Sequence, residues 1–310
     1  MFKYSLGWIP DYPDFRDYSE DTPSVREIMA VTCFPQQPAA IAATVQRKTK
    51  PAAAPPVAVD LRAHCSPVED QGALGSCTAN AGAGIIEYYE RRAFGRHLDA
   101  SRLFLYKTTR NLMKMKGDTG AYLRTTIGAM VLFGVPPEEH WPYHDGPEQF
   151  DKEPPAFCYA FAQNYKAIQY YRHDLPGSAA AATLGRVKTH LAAGHPSMFG
   201  FTVYSSIEAA DARGAIPFPG PKERILGGHA VVAVGYDDKL QVENARSEGV
   251  GKLERGPTTT GALLIRNSWG PNWGDGGYGW LPYEYVTRGL AEDFWSILKK
   301  DWIDTGAFAE

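Results

Sequence analysis

The spacing of hydrophobic positions changes near residue 165 of the chain. Before this point, apolar residues recur at helical spacing in three segments: CTANAGAGIIEYYERRAFG, ASRLFLYKTTRNLMK and YLRTTIGAMVLFG. After it, short β-rich runs dominate, among them SMFGFTVY, HAVVAVGY and ALLIRNSW. The pattern predicts an α+β chain with a helical lobe at 58–165 and a β-rich lobe at 166–310.

Two stretches precede this body. Residues 1–34, the N-terminal segment, are rich in aromatic, proline and acidic residues, with one short predicted helix that Thr22 caps and Pro23 begins. Residues 35–57 have the composition of a linker. Later in the chain, DDKLQVENARSEGVGKLERGPTTTG is polar and contains glycines, which predicts a mobile surface loop between two strands.

Cys77 lies where the first predicted helix begins, after the turn-forming stretch QGALGS. Helix N-termini carry unpaired N–H groups and partial positive charge, so a thiol there ionises more easily than one in an apolar core. A cysteine can equally be a small buried packing residue, which is the commoner case. The local sequence leaves both interpretations open.

Other residues could assist a nucleophilic thiol. His229 begins the apolar run HAVVAVGYDD, and Asn267 closes the run GALLIRNSWG. A reactive thiol needs a base, and that base needs a third group to orient its ring. Taken singly, each residue is more often structural: His229 in a core, Asn267 at a strand end, and Gln71 as a solvated side chain.

Three blocks occur in order along the chain: VEDQGALGSC, GGHAVVAVGYDD and IRNSWGPNWGDGGYGW. Together with VAVDLR before them, they resemble the papain family of cysteine peptidases, in which histidine and asparagine follow the cysteine far downstream. The resemblance extends to about Ile297. It implies these roles: Cys77 as nucleophile, His229 as base and then acid, Asn267 as orienting group, and Gln71 as oxyanion donor.

The resemblance also implies the papain-like two-lobed α+β fold, with a helical lobe, a β-barrel-like lobe and the active-site cleft between them. The stretch GDTGAY should form the edge that pairs with an extended substrate, through Gly120 or Ala121, while Tyr122 lines a substrate pocket. The remaining implied substrate contacts are Gly228, Ala230 and Trp269.

The chain departs from the family pattern at two positions. Leu74 stands where a cysteine is usual, and Thr78 where an aromatic residue is usual. The usual disulfide partner of that cysteine would fall in KMKGDTGAY, which has no cysteine either. The other cysteines, Cys33, Cys65 and Cys158, form no C-x-x-C pair, so we expect neither a disulfide framework nor a zinc site.

Composition and charge limit the classes of binding partner that we expect. The chain has 310 residues, of which 44% are hydrophobic and 22% charged, and its net charge of −3 gives no reason to expect nucleic acid or an anionic membrane as partner. No apolar run is long enough for a membrane span, and the first residues are too polar for a signal peptide. Without a nucleotide-binding motif or metal-ligand spacing, we expect no cofactor. The cysteine usage is compatible with a cytoplasmic location, which the sequence leaves open.

The function predicted from these residues is that of a cysteine endopeptidase acting on a peptide or protein substrate through a thiolate–imidazolium pair and a thioester intermediate. The helix N-terminus and a neighbouring imidazolium predict that Cys77 is largely ionised at neutral pH. A catalytically idle binding module and a cysteine acyl transferase are the alternatives. All four catalytic roles are filled, which favours an enzyme.

We also expect the N-terminal segment to cover the cleft as an intramolecular inhibitor, which would make the chain a zymogen. Its predicted anchors are Trp8, Ile9, Tyr12, Phe15 and Tyr18. Two prolines in the same stretch favour an extended backbone, which lowers the entropic cost of lying in a groove. The alternative is a segment that only packs on the surface of the body.

Overall fold

The structure, a computed structural model, describes residues 2–32, 55–165, 169–247 and 253–299. Cys33 and most of the predicted linker lie outside the described residues. Among the described residues, the helices are α1 (Pro23–Thr32), α2 (Cys77–Phe94), α3 (Arg102–Leu112), α4 (Leu123–Leu132), α5 (Ala156–Ala162), α6 (Ala180–Ala192) and α7 (Tyr283–Thr287). The strands are β1 (Ala58–Asp60), β2 (Gln169–Arg172), β3 (Ser197–Tyr204), β4 (Ile225–Ser247), β5 (Leu253–Arg266), β6 (Tyr278–Pro282) and β7 (Ala291–Leu298).

The three helices predicted from apolar spacing are confirmed as α2, α3 and α4. Small residues on α2 allow close packing, because a Cβ at Gly82 would lie 3.1 Å from the side chains of Leu105 on α3 and Met130 on α4. Helix α2 ends at Phe94 and is capped by Gly95, which adopts the left-handed conformation with φ 70°. The close packing fixes the helix that carries Cys77 against its neighbours.

The strands form one antiparallel sheet in the order β2-β7-β3-β4-β5-β6, with β1 added beside β4. In the register of the two central strands, Val232 on β4 lies opposite Arg266 on β5. His229 therefore precedes this pair by three residues on β4, while Asn267 follows it directly. Pairing of β4 with β5 thus brings two residues together that are far apart in the sequence.

The prediction of a mobile surface loop between these two strands is wrong. Strand β4 continues to Ser247 and β5 begins at Leu253, so the polar stretch extends the hairpin, with Gln241 opposite Thr260 and Val242 opposite Thr259. Val242 is buried against Ala215 and Ala262 in a small cluster of its own. The alternation of polar and apolar residues in LQVEN is the sequence signal that the glycines obscured.

Two large hydrophobic clusters divide the core. One collects the buried faces of α2, α3 and α4, and the other lies between the sheet and helices α6 and α7. Strand β1 belongs to the predicted helical lobe yet pairs with β4, so the chain crosses between the two halves at its start. In the part of the chain that the structure describes, no helix is long and apolar enough to cross a membrane.

Candidate active site

Cys77 is the first residue of α2, as its sequence position predicts, and its side chain is fully buried. The turn before it is held by side chains on both sides of the loop. The Tyr143 hydroxyl lies 2.6 Å from the Ser76 hydroxyl and donates to the Gln71 carbonyl oxygen at 2.8 Å. The thiol therefore stands on a constrained turn at a helix N-terminus.

His229 and Asn267 meet as the strand pairing requires. The Nε2 atom of His229 lies 2.7 Å from Oδ1 of Asn267, so this nitrogen carries the proton in the bond. The other ring nitrogen, Nδ1, is buried with no hydrogen-bond partner among the described residues. The backbone N–H of the next residue, Ala230, contacts the Cys77 sulfur. The ring is thus oriented by Asn267 on one side and has its free nitrogen available on the other.

Trp269 covers the histidine–asparagine bond from solvent. Its ring stacks on the His229 ring, with centroids 4.5 Å apart and an interplanar angle of 22°. Trp269 itself is 3% exposed. Exclusion of water strengthens a hydrogen bond in this position, because competition from solvent is removed.

Gln71 is also completely buried, and its amide is fixed at both ends. The Ser268 hydroxyl donates to Gln71 Oε1 at 2.6 Å, which leaves Nε2 to donate to the carbonyl oxygens of Leu74 at 2.8 Å and Ser5 at 3.2 Å. Sequence reasoning missed Ser268, although it lies inside the IRNSWG block beside Asn267. Its hydroxyl determines which way the Gln71 amide faces.

The N-terminal segment crosses the site in an extended conformation. The Gly228 carbonyl oxygen accepts from the N–H groups of Gly7 and Trp8, both at 3.1 Å. The Ala121 N–H donates to the Gly7 carbonyl oxygen at 2.8 Å. The Ala121 carbonyl oxygen accepts from the Ile9 N–H at 3.0 Å. Of Gly120 and Ala121, Ala121 therefore forms the pairing edge.

Trp8 enters a pocket beside this edge and is 4% exposed. Its indole N–H donates to Oδ2 of Asp293 at 3.2 Å. A Cβ at Gly200 would lie 1.9 Å from the indole ring, so the absence of a side chain there makes room for Trp8. Asp293 is fully buried, and burial raises its pKa to about 7 even though Arg172 lies 3.3 Å away.

On the other side of the thiol, the first residues of the segment lie against Trp269. The Tyr4 ring stacks on Trp269 with centroids 4.5 Å apart, and Phe2 meets the same ring edge-on at 5.7 Å. Phe2 and Tyr4 pack on the sheet-side core, whereas Trp8 belongs to the helical core. The segment therefore connects the two halves of the molecule across the cleft.

Three predicted anchors of the segment do not bury their rings. Tyr12 and Phe15 are 86% and 89% exposed, and Tyr18 is 42% exposed. Charged contacts hold this part instead. Arg124 pairs with Asp11 at 3.0 Å and Asp17 at 2.8 Å. These aromatic rings therefore do not anchor this part of the segment, and acidic residues make contacts with the body.

Burial affects the charge state of the site. It raises the pKa of Cys77 to about 11, although backbone N–H groups of Ala230, Gly7 and Thr78 oppose this effect. Burial also lowers the pKa of His229 to about 4, against the opposing effect of Asn267. In this covered arrangement both shifts favour the neutral thiol and the neutral imidazole over the expected thiolate and imidazolium.

The remaining predicted contacts take the following places. Gly228 and Ala230 flank His229 and contact the segment and the thiol as described above. Tyr122 is half-buried directly before α4, where its carbonyl oxygen accepts from Thr126. Gly120 does not pair with the segment, but a Cβ there would lie 2.2 Å from the Gly7 carbonyl oxygen. Within the described residues, no cluster of three or more metal-ligating side chains occurs.

Comparison with known proteins agrees with this geometry. Residues 55–294 match the papain family of cysteine proteases. A peptidase C1-like protein of Acanthamoeba polyphaga mimivirus is 36% identical over 234 residues, covering 74% of this chain and 68% of that protein. Xylellain, a cysteine protease from Xylella fastidiosa, has a TM-score of 0.69 at 35% identity, covering 95% of this chain and 96% of its own. The procathepsin B structure from Trypanosoma congolense, with a TM-score of 0.59 and 16% identity, covers 95% of this chain and 87% of its own and supports the fold.

The chain belongs to the papain family of cysteine proteases, and it is a cysteine-type peptidase. The papain-like two-lobed α+β fold predicted from the sequence blocks is confirmed. The departures at Leu74 and Thr78 leave the fold intact, since Leu74 is buried in the helical core and the Thr78 hydroxyl accepts from Thr126 at 3.1 Å.

Proposed function

We propose that Cys77 is the nucleophile of a cysteine endopeptidase, with His229 as its base and then acid, Asn267 as the orienting group and Gln71 as an oxyanion donor. The observation that carries this proposal is the unpaired Nδ1 of His229. This nitrogen is buried without a partner among the described residues, Nε2 is held by Asn267, and the N–H of the next residue, Ala230, contacts the Cys77 sulfur. A base that is oriented through one nitrogen and free at the other is the arrangement that activates a nucleophile.

In the uncovered site, Cys77 transfers its proton to His229 Nδ1, and the resulting thiolate attacks a peptide carbonyl carbon. The Gln71 Nε2–H group and the Cys77 backbone N–H stabilise the oxyanion, with each donor contributing roughly 3 kcal/mol. The imidazolium then protonates the leaving amine, and a thioester remains. His229 next removes a proton from water, which hydrolyses the thioester and regenerates the thiol.

The N-terminal segment acts as an intramolecular inhibitor of this site. Support comes from the Ser5 carbonyl oxygen, which occupies the Gln71 donor, and from the Gly7 N–H, which contacts the Cys77 sulfur. The segment thus presents an N–H group to the sulfur, where attack requires a carbonyl carbon. Similarity to a procathepsin B is consistent with a covered form of this fold.

The test uses a full-length chain with a recognition sequence for a site-specific protease inserted within 35–54. The chain is folded first and then cut, which gives the cleaved chain. We expect the cleaved chain at high dilution to hydrolyse reduced and alkylated casein, and the uncut chain to be at least tenfold slower. Cys77→Ala and His229→Ala should abolish hydrolysis in the cleaved chain while thermal unfolding stays cooperative. Hydrolysis by cleaved Cys77→Ala at the wild-type rate would contradict the proposed nucleophile.

A further inference from the structure

A noncovalent link replaces the disulfide that the sequence lacks. The described cysteines, Cys65, Cys77 and Cys158, are all free and buried. The missing bond would have joined the stretch before the nucleophile to the stretch before the pairing edge. Here these are residues 72–76, the nucleophile loop, and residues 117–121, the edge loop. Asp118 lies in the edge loop, and its side chain contacts the nucleophile loop.

The Asp118 carboxylate binds the backbone of the nucleophile loop. The Gly75 N–H donates to Oδ1 at 3.0 Å and to Oδ2 at 3.1 Å. Gly75 lies two residues before Cys77, and a Cβ there would come within 3.3 Å of Asp118 Oδ1. Hydrogen bonds from a backbone N–H to a carboxylate are among the stronger kinds in proteins. The carboxylate therefore holds the loop that delivers the thiol.

The same carboxylate is tied back to the edge loop through a tyrosine. The Tyr106 hydroxyl donates to Asp118 Oδ1 at 2.5 Å and accepts from the Gly120 N–H at 3.1 Å. Burial and the hydrogen bond to Asp118 both raise the pKa of Tyr106, so the hydroxyl keeps its proton. Ala121, the residue that pairs with the extended segment, follows Gly120 directly.

The other end of the edge loop is held independently of Asp118. Arg110, which is fully buried and packs over the Tyr106 ring at 4.2 Å, donates to the Gly117 carbonyl oxygen at 2.6 Å. The Gly117 N–H donates to Asp151 at 3.0 Å, and Arg110 pairs with Asp151 at 2.7 Å. Loss of Asp118 would therefore leave the edge loop in place but free its spacing to the nucleophile loop.

We propose that Asp118 is a positioning residue for peptide hydrolysis, which fixes the distance between the Ala121 edge and Cys77 by holding Gly75 and, through Tyr106, Gly120. This inference rests on the proposed function, in which Ala121 pairs with the substrate and Cys77 attacks it. An extended peptide needs the edge and the thiol in register, whereas a small alkylating reagent needs only the thiol. A misplacement of about 1 Å can cost 10²-fold in rate.

Asp145 provides a matched control. It is exposed, as Asp118 is, and its Oδ2 accepts from the Ala73 N–H of the same nucleophile loop at 3.1 Å. No described contact joins Asp145 to the edge loop. The two carboxylates therefore differ in the link to the edge and not in the kind of bond that they make to the nucleophile loop.

The experiment compares wild type, Asp118→Ala, Asp118→Asn and Asp145→Ala as cleaved chains. The probes are iodoacetamide and a fluorogenic decapeptide taken from the casein bond that the wild type cuts fastest. We expect Asp118→Ala to lower kcat/KM for the decapeptide about tenfold, mainly through KM, with Cys77 alkylation within about twofold of wild type. Asp118→Asn keeps an Oδ1 acceptor for the Gly75 N–H and the Tyr106 hydroxyl, so its kcat/KM should lie within about threefold of wild type. Asp145→Ala should have the wild-type kcat/KM.

Wild-type kcat/KM in a folded Asp118→Ala variant, or equal losses in Asp118→Ala and Asp145→Ala, would overturn the proposal. If Asp118→Ala does not fold, the Tyr106→Phe variant tests the proposal instead. This change removes the link to Gly120 and leaves the Asp118 carboxylate in place. It should raise KM for the decapeptide at an unchanged alkylation rate, and an unchanged KM overturns the proposal. A wild-type cleaved chain that cuts no casein would instead contradict the proposed function.

Discussion

The Trp8 indole N–H is bonded to the buried carboxylate of Asp293, 285 positions away in the sequence. This bond anchors the N-terminal segment in a pocket that the missing side chain at Gly200 helps to leave open. It is one point of a longer contact that runs from Trp269 past Gln71 to Ala121. Covering of the site should therefore depend strongly on Trp8.

Trp8→Ala should open the site in the uncut chain. Removal of a buried tryptophan side chain costs about 3 to 5 kcal/mol, which would raise the uncovered fraction by about 10²-fold or more. The measurement is the rate of Cys77 alkylation at pH 7, followed by mass spectrometry. Phe15→Ala is the control, since that ring is 89% exposed in the same segment and its loss should leave the rate unchanged. Equal rates in all three proteins would exclude Trp8 as an anchor.

The pH profile of labelling should differ between the uncut and cleaved chains. In the uncut chain the pKa of Cys77 is about 11 because of burial, so its alkylation should keep rising above pH 9. In the cleaved chain, solvent and the imidazolium favour the thiolate, and we expect rapid alkylation below pH 7. Cys65 and Cys158, whose pKa values burial raises, should remain slow. Labelling of Cys77 in the cleaved chain only above about pH 8, as for an ordinary thiol, would contradict the ion pair.

Gln71→Ala in the cleaved chain should lower kcat by about 10² to 10³, because it removes one proposed oxyanion donor. Ser268→Ala should have a smaller effect, of about tenfold, since the amide of Gln71 remains but loses the bond that orients it. Asn267→Ala should be milder than His229→Ala, because the base is misoriented and not removed. Steady-state hydrolysis of the decapeptide measures all four variants. Full activity in Gln71→Ala would remove this residue from the oxyanion site.

Covering should weaken at acidic pH through Glu20. Its carboxylate lies 2.9 Å from Nε2 of His190, and this hydrogen bond holds the pKa of Glu20 below its ordinary value despite partial burial. The covered state therefore favours the ionised form of Glu20. Its contribution is complete above about pH 5 and is lost as the pH falls through the lowered pKa.

Glu20→Gln tests this contribution. Between pH 5 and pH 3, the uncovered fraction of the uncut wild type should rise more steeply than that of Glu20→Gln. The readout is Cys77 labelling with a disulfide reagent that reacts at low pH. Asp21→Asn is the control, since Asp21 pairs with Arg26 at the exposed surface of the same segment. Identical pH profiles for wild type and Glu20→Gln would show that this contact does not hold the segment.

Local sequence determined the elements that carry the site. The spacing of apolar residues predicted helices α2, α3 and α4, and the run SMFGFTVY coincides with β3. The position of Cys77 at a helix start follows from the turn residues before it. These features depend on neighbours in the chain, so the sequence alone is sufficient to predict them.

Tertiary structure decided the rest, because long-range contacts choose between options that are locally equal. Ala121 and not Gly120 pairs with the segment, since Gly120 is turned to donate its N–H to Tyr106. The described parts of the polar stretch extend β4 and β5 because each strand offers the other backbone partners, as in the pairs Gln241 with Thr260 and Val242 with Thr259.

The charge state of Cys77 and His229 likewise depends on burial, a property that no local pattern encodes. The sequence predicts that Cys77 begins a helix, but only the packed chain removes water from its sulfur and from His229. Desolvation penalises the charged forms of both groups and outweighs the helix N–H groups near the thiol. The sequence determined which residues could react, and burial in the tertiary structure favours their neutral forms.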